Sequence, residues 1–413
     1  MINIINKQDC CGCAACVQRC PKHCISLKED EEGFLYPDVD LDVCIDCHLC
    51  EKVCPLINRP KKISPSEVLA VKNRNEGERM ASSSGGVFIA LAKKIIEQGG
   101  VVFGAVFDDN WEVVHTYTET LEGVRPMMGS KYVQSRIENT FREAETFLKD
   151  GRMVLFSGTP CQITGLHNYL RKDYPNLLAV DFLCHGVPSP GVWRRYLEET
   201  FGGSARRAAA GKNTVLSSSL KSMPVITGIE FRDKKPYGWK KFSFVVRGES
   251  ASKADKNSVL LSAIHRENAY MRGFLSNIYL RPSCYNCKCK NGVSRSDLTM
   301  ADYWGIQNLM PELDDDKGIS LILANTCKGI KFLHSLDADI YRSPFLFAKR
   351  LNPGFREKTA PNPKRKVFFN KLSSENDCSI VTLIEECSKP TLKMRLHNKI
   401  NYLKQKIMIK MKL

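Results

Sequence analysis

Apolar residues change their spacing repeatedly along this chain, and each change marks an element. From about residue 68, short apolar runs alternate with stretches in which apolar residues recur every three or four positions. "VLAVKN" (68–73), "VVFGAVF" (101–107), "EVVHTYTE" (112–119), "MVLFSG" (153–158) and "LLAVDFLCHG" (177–186) read as strands. "SGGVFIALAKKIIEQGG" (84–100) reads as a helix closed by Gly99 and Gly100. "IENTFREAETFLKDG", "CQITGLHNYLRKD", "PGVWRRYLEETF" and "ENAYMRGFLSN" carry helical patterns, and "IEFRDK" and "FSFVVRG" add strands. This alternation predicts an α/β core built on a mixed sheet.

The first 57 residues have a different texture. "KHCISLKEDEEGFLYPDVDLD" (22–42) predicts two short strands around a turn at Gly33. "INRPKKISPSE" (57–67) reads as a polar linker. Because residues 1–57 contain the run C-x2-C-x2-C-x3-C-P twice, the expected organisation is a two-cluster ferredoxin-type domain over 1–57, a linker at 58–67, an α/β core over 68–345 and an extension over 346–413. The fold class is thus α+β to α/β. Residues 202–224, small and basic, read as a mobile surface loop. Residues 390–413 form a basic amphipathic tail, read first as a solvated helix and second as a peripheral membrane contact.

Cysteine spacing supplies the chemistry. Cys10, Cys13, Cys16 and Cys20, with Pro21 behind, follow C-x2-C-x2-C-x3-C-P, and Cys44, Cys47, Cys50, Cys54 and Pro55 repeat it. In such runs three cysteines wrap one [4Fe–4S] cube and the fourth ligates the other. One cube therefore takes Cys10, Cys13, Cys16 and Cys54, and the second takes Cys44, Cys47, Cys50 and Cys20. Disulfides are disfavoured because no signal peptide is evident, so a reducing cytoplasm is the expected compartment. Zinc sites commonly use C-x2-C pairs far apart rather than four cysteines in eleven residues.

Four further cysteines stand outside these runs. Cys161 follows Pro160 at a strand-to-helix turn, where the helix dipole favours an anionic ligand or a nucleophile. Cys184 ends the next strand, and Cys284 and Cys287 form a C-x2-C pair. Spacing alone leaves these four divided between a third cluster and a zinc site, and either strand-end cysteine between a ligand and a buried apolar thiol. Cys11, Cys24, Cys289, Cys327, Cys378 and Cys387 fit no pattern.

Formal net charge is +16 over 413 residues. Anionic cofactors offset part of that excess, so nucleic acid is not the expected partner. No run of about 18 apolar residues predicts a membrane span.

"SSGG" (83–86), "GSKYVQS" (129–135), "SGTPCQ" (157–162), "DFLCHGVPSP" (181–190), "RPSCYNC" (281–287) and "SDLTMADYWGI" (296–306) together resemble the family of β subunits of coenzyme F420-reducing hydrogenases and dehydrogenases. The resemblance runs to about residue 335. It implies an FAD-binding α/β core with a [4Fe–4S] cluster beside the flavin, and it favours Cys161, Cys184, Cys284 and Cys287 as that cluster's ligands. Ser83, Ser84, Gly85 and Gly86, at a helix start whose free N–H groups suit a pyrophosphate, are the expected flavin residues. Ser130, Lys131, Tyr132, Gln134 and Thr159 join them. The function so implied is an oxidoreductase relaying electrons between a ferredoxin-like or other redox protein and a small-molecule substrate or deazaflavin-type cofactor. A non-catalytic electron-transfer subunit is the alternative, and a zinc- and nucleic-acid-binding protein a third. Substrate, direction of electron flow and oligomeric state are not legible in the sequence.

Overall fold

The computed structural model describes residues 1–202, 225–249, 257–355, 359–374 and 378–390. Most of the expected loop at 202–224 and of the basic tail at 390–413 lies outside these residues.

At the N-terminal end, the two cysteine runs fold as near-copies. Each closes on a short helix, Ala15–Arg19 in the first and Leu49–Lys52 in the second. Ala14 and His48 cap these helices in left-handed conformation with the same dihedrals, φ 56° and ψ 13°. Gly12 and Asp46, two residues earlier in each run, also have positive φ. Non-glycine residues enter this region at a cost, and they hold it where the surroundings demand it. Here the demand is a tight curl that turns successive N–H groups inward. Strands β1 (Ile25–Glu29) and β2 (Leu35–Val39) form the expected antiparallel hairpin around Gly33.

The rest is built on an eight-stranded sheet. Its members are β3 (Glu67–Asn73), β4 (Val101–Phe107), β5 (Val113–Thr118), β6 (Val154–Ser157) and β7 (Leu177–Phe182). A second, three-stranded sheet intervenes in the chain as β8 (Val225–Asp233), β9 (Ser243–Glu249) and β10 (Ser258–Ile264). Then β11 (Leu298–Asp302), β12 (Ser320–Ala324) and β13 (Ala338–Arg342) complete the large sheet, in the order β13-β3-β12-β11-β7-β6-β4-β5. The four central strands β11, β7, β6 and β4 run parallel, and the flanking pairs are antiparallel. The sheet is therefore mixed, as the alternation predicts. Strand β10 was not anticipated: its exposed and half-buried residues alternate too weakly to stand out by period.

Three of the helices form for legible reasons. Val87–Glu97 buries Val87, Ile89, Leu91, Ala92 and Ile95. Pro160–Leu170 starts with proline at its first position and a capping box in which Thr159 and Gln162 satisfy each other's ends. Pro190–Phe201 starts from Ser189, whose side chain accepts from Val192 N–H. Among the described residues no helix is long and apolar enough to cross a membrane.

The N-terminal unit is not a bead on a string. Cys11, Cys13, Ala14, Ala15 and Val53 share one apolar core with Phe141, Ile163, Leu166 and Tyr169. The segment expected as a linker is tied down, with Ile63 N–H donating to Gly292 O at 3.0 Å and Asn168 Nδ2 to Asn58 O at 2.9 Å. Arg365 reaches Glu32 through two nitrogens. Gly33 does more than turn the hairpin: a Cβ on it would stand 2.5 Å from the Cα of Gly191. Neither backbone can yield there, so Gly33→Ala should loosen the hairpin from the helix at 190–201. Amide hydrogen exchange should show reduced protection in β1 and β2. An unchanged exchange pattern would count against this close approach as the docking constraint.

Candidate functional site

The C-terminal edge of the parallel strands gathers the chemistry, as open α/β sheets commonly do. Strand β6 leads through Thr159 into Cys161, and β7 leads into Cys184 two residues past its end. The 3-10 turn Pro282–Asn286 brings Cys284, with Cys287 as the residue after it. The four thiols converge. Cys184 and Cys284 are each pushed up by burial first, and then by the charges of the other core cysteines, Cys284 to about 12. Thr159 Oγ1 lies 3.2 Å from Cys161 Sγ, and Val187 N–H donates to Cys284 Sγ at 3.4 Å.

The head cysteines gather in two adjoining groups. Burial, with the charges of Cys10 and Cys54, pushes the Cys16 thiol up. Cys13 stands within reach of Cys16 and Cys54, and Cys54 within reach of Cys10. Cys20 instead lines a cavity with Cys44, Cys47 and Cys50, walled by Ile25, Val39, Ile45 and Leu49. Ile2 N–H donates to Cys50 Sγ at 3.2 Å. We call these the inner and outer head sets. Iron cations neutralise grouped thiolates, so sets of this kind suit iron clusters. Among the described residues no three His, Cys, Asp or Glu side chains close in on a single-ion site.

Cysteines without a pattern in the sequence turn out to be neighbours of these sets. Cys24 lies 3.4 Å from Cys20 in the outer cavity wall. Cys11 touches both Cys13 and Cys161, and Cys289 lies near Cys161, Cys287 and Cys54. The inner and core sets therefore adjoin. Gly165 permits this approach, since a Cβ on it would stand 3.1 Å from Cys13 Sγ. The signal for Cys11 was its place inside a ligand run without a register of its own.

A cavity of about 600 Å³ opens on the same side of the sheet, lined among others by Ser83, Phe107, Arg125, Ser130, Lys131, Phe231, Arg232 and Lys235. Phe107 is the last residue of β4, and Arg232 pairs with Asp302, the last of β11. Burial pushes the Lys131 pKa down to about 7, and its ammonium donates to the carbonyls of Met128 and Gly129. Tyr132 stands behind the wall, with its hydroxyl bonded to Arg232 and Ser130. Its ring lies 5.5 Å from Phe231 and stacks at 4.7 Å on Phe274, which meets His185 at 5.0 Å. An aromatic series thus runs from the cavity to the residue beside Cys184.

Of the residues expected at a flavin, Ser83, Ser130 and Lys131 line this cavity, with Tyr132 behind them. The others do not meet there. Gly85 packs against the sheet, where a Cβ would stand 2.3 Å from Val71 O, and its N–H donates to Ser320. Ser84 donates to Ile319 O. Gly86 caps the helix with φ 81°, a conformation that serves glycine for local reasons. Gln134 donates to Cys11 O, and Thr159 caps its helix beside Cys161, so both belong to the cysteine junction. The motifs meet there because Gln162 Nε2 donates to Ser135 Oγ at 2.9 Å.

A mixed α/β sheet with strand-end cysteines and a doubled C-x2-C-x2-C-x3-C-P head defines a redox protein of the iron–sulfur class. Comparison with known families makes this specific. Residues 9–56 match the 4Fe-4S dicluster domain, and residues 151–342 match the C terminus of the coenzyme F420 hydrogenase/dehydrogenase beta subunit. The chain thus carries a domain of that family behind a 4Fe–4S dicluster domain. One subunit of the F(420)H(2) dehydrogenase of Methanosarcina mazei is 26% identical over 171 residues, 38% of this chain and 48% of that protein. A 7Fe ferredoxin of Hydrogenibacillus schlegelii is 49% identical over 43 residues, 10% of this chain and 49% of that protein. The chain spans about half the length of these relatives. A solved structure of the F420-reducing [NiFe] hydrogenase complex of Methanosarcina barkeri aligns with a TM-score of 0.43 at 16% identity, over 79% of this chain and 93% of that one.

The sorting of the thiols gives a direct test. Cys20→Ser should alter the paramagnetic signal of the cube held by Cys44, Cys47 and Cys50, and spare that of Cys10, Cys13 and Cys16. Cys184→Ser should lower iron by about four atoms per chain while both head signals persist. Loss confined to the inner cube in Cys20→Ser would overturn the sorting.

Proposed function

We propose that the chain is an iron–sulfur flavoprotein that relays electrons between a redox protein docked on its head and a two-electron substrate at the large cavity. The observation that supports this reading most is the line of sites: outer head set, inner head set, core set, aromatic series and cavity, each adjoining the next. When bound, clusters exchange single electrons and FAD exchanges two, so the pair converts between the two kinds of chemistry. The protein's part is placement and electrostatics. Cys44, Cys47, Cys50 and Cys20 would hold the outer cube, Cys10, Cys13, Cys16 and Cys54 the inner, and Cys161, Cys184, Cys284 and Cys287 the core cube.

The cavity suits FAD by its donor set. Lys131, Arg125, Arg232 and Lys235 supply positive charge for a pyrophosphate or a reduced ring, Ser83 and Ser130 supply hydroxyls, and Phe107 and Phe231 supply apolar walls. The volume of about 600 Å³ falls in the range of cofactor sites. We extend to the substrate the deazaflavin-type cofactor named in the relatives, with other small two-electron carriers as the remaining class.

The partner's side is argued from charge. Residues 1–57 hold five lysines and arginines against ten aspartates and glutamates, in a chain of net charge +16. Leu41, Val43 and Ile45 are exposed around Cys44 and Cys47, between Asp38, Asp40, Asp42 and Asp46. Such a face suits a redox protein with an apolar centre and a basic rim. The relative's name, which makes it one part of a dehydrogenase, agrees with work in an assembly.

The test is anaerobic reconstitution with iron, sulfide and FAD, followed by denaturation and measurement of released flavin. About one FAD per chain is expected; none would reduce the reading to a cluster-only electron carrier. The pH dependence follows from Lys131. Its pKa of about 7 lies below the ordinary value, so the ammonium form grows as pH falls through about 7. An anionic ligand beside it favours that form, so FAD affinity should rise as pH falls from about 8 to about 6. Fluorescence titration of Lys131→Met should show weaker binding with a flatter pH profile. An equally steep profile in the variant would remove Lys131 from the flavin site.

A further inference from the structure

Arg281 is completely buried, yet no carboxylate pairs with it among the described residues. Its Nε donates to Cys10 O at 2.8 Å and its Nη1 to Gln134 Oε1 at 3.0 Å. Nη2 donates to Leu35 O at 2.8 Å and approaches Cys10 Sγ at 3.4 Å. The guanidinium lies 4.3 Å from the ring centroid of Tyr36 and 5.4 Å from that of Phe34. From its other end, Arg281 O accepts from Cys284 N–H at 2.9 Å, so the same residue shapes the loop of the core set.

A buried cation requires a counter-charge, because desolvating it alone costs several kcal/mol. Carbonyl dipoles and ring faces supply part of that compensation. Among the described residues, the sulfur its side chain touches is that of Cys10, a ligand of the proposed inner cube. Gly12 keeps the space open: a Cβ there would stand 2.8 Å from Arg281 Nη1.

We propose that Arg281 is the positioning residue of the inner head cube, holding a fixed positive charge beside Cys10 Sγ and so setting that cube's reduction potential relative to the outer one. The inference rests on the cluster reading above. Reduction adds one electron to an already anionic cube, so a fixed cation and an N–H donor beside a ligand sulfur stabilise the reduced form and raise the potential. Among the described residues the outer set has no buried guanidinium beside it, and Cys44 and Cys47 reach the surface. Arg281 therefore biases electrons arriving at the head toward the inner cube, the one that adjoins the core.

The test is a redox titration of the full reconstituted chain, followed by paramagnetic resonance, for wild type, Arg281→Lys and Arg281→Met. Signals are assigned beforehand by Cys44→Ser for the outer cube and Cys184→Ser for the core cube. The midpoint of the inner cube should fall in Arg281→Met and fall less in Arg281→Lys, while the outer midpoint stays put. Lysine keeps the charge but cannot reach four acceptors with one planar fork. If the methionine protein loses its inner cube, the lysine variant alone decides, by a lowered inner midpoint with an unmoved outer one. An inner midpoint unchanged in the lysine variant and in any methionine protein that keeps the cube, or head midpoints that move together, would overturn the proposal. Absence of cluster signals from the wild type would instead overturn the cluster reading itself.

Discussion

The parallel pairing of β6 with β7 is the constraint on which the rest depends. Because Ser157 stands opposite Val180 in a parallel register, both strands deliver their next residues to one edge of the sheet. Cys161 and Cys184 then face the same space. The C-x2-C turn can complete that set only because Cys284 N–H is fixed to Arg281 O and Val187 N–H meets Cys284 Sγ. The helix at 160–170, launched from the same edge, offers Gly165 to Cys13 and so brings up the inner head set. A break in that one register would move every later member of the line.

What the sequence discloses and what it withholds divide along sequence separation. The two head runs were legible because each places four cysteines within eleven residues, and each curls through a left-handed position, Ala14 or His48. Strand and helix alternation was legible for the same reason, down to Pro160 at its helix start. The residues expected at a flavin separate in the structure. "GSKYVQS" is one short segment, but its Ser130 and Lys131 line the cavity while Gln134 turns to the cysteine junction, because the segment has no regular structure and its side chains follow no period. Gly85 carries the same letter whether it admits a phosphate or, as here, the backbone of β3 and β12. Arg281, Cys11 and Cys289 could not be assigned, because the contacts that tie each of them to a second set of cysteines come from more than a hundred residues away.

Electron transfer over a fixed line demands that the distances along it do not fluctuate, and the way the head is attached addresses this. A polar, proline-bearing connection would ordinarily predict a tethered module that samples many positions. Here Ile63 is hydrogen-bonded to Gly292, Gly33 meets Gly191 backbone to backbone, and the head's Ala15 and Val53 are buried in the same apolar core as Phe141 and Leu166. Interfaces this apolar, with no room for an added methyl at their closest point, move as one body rather than as two. The outer set meanwhile stays at the surface among aspartates. On the proposed relay, the architecture would separate two requirements that conflict within a single site: a tightly packed junction between the inner and core sets, and a wet, charged face at which a partner could arrive and leave.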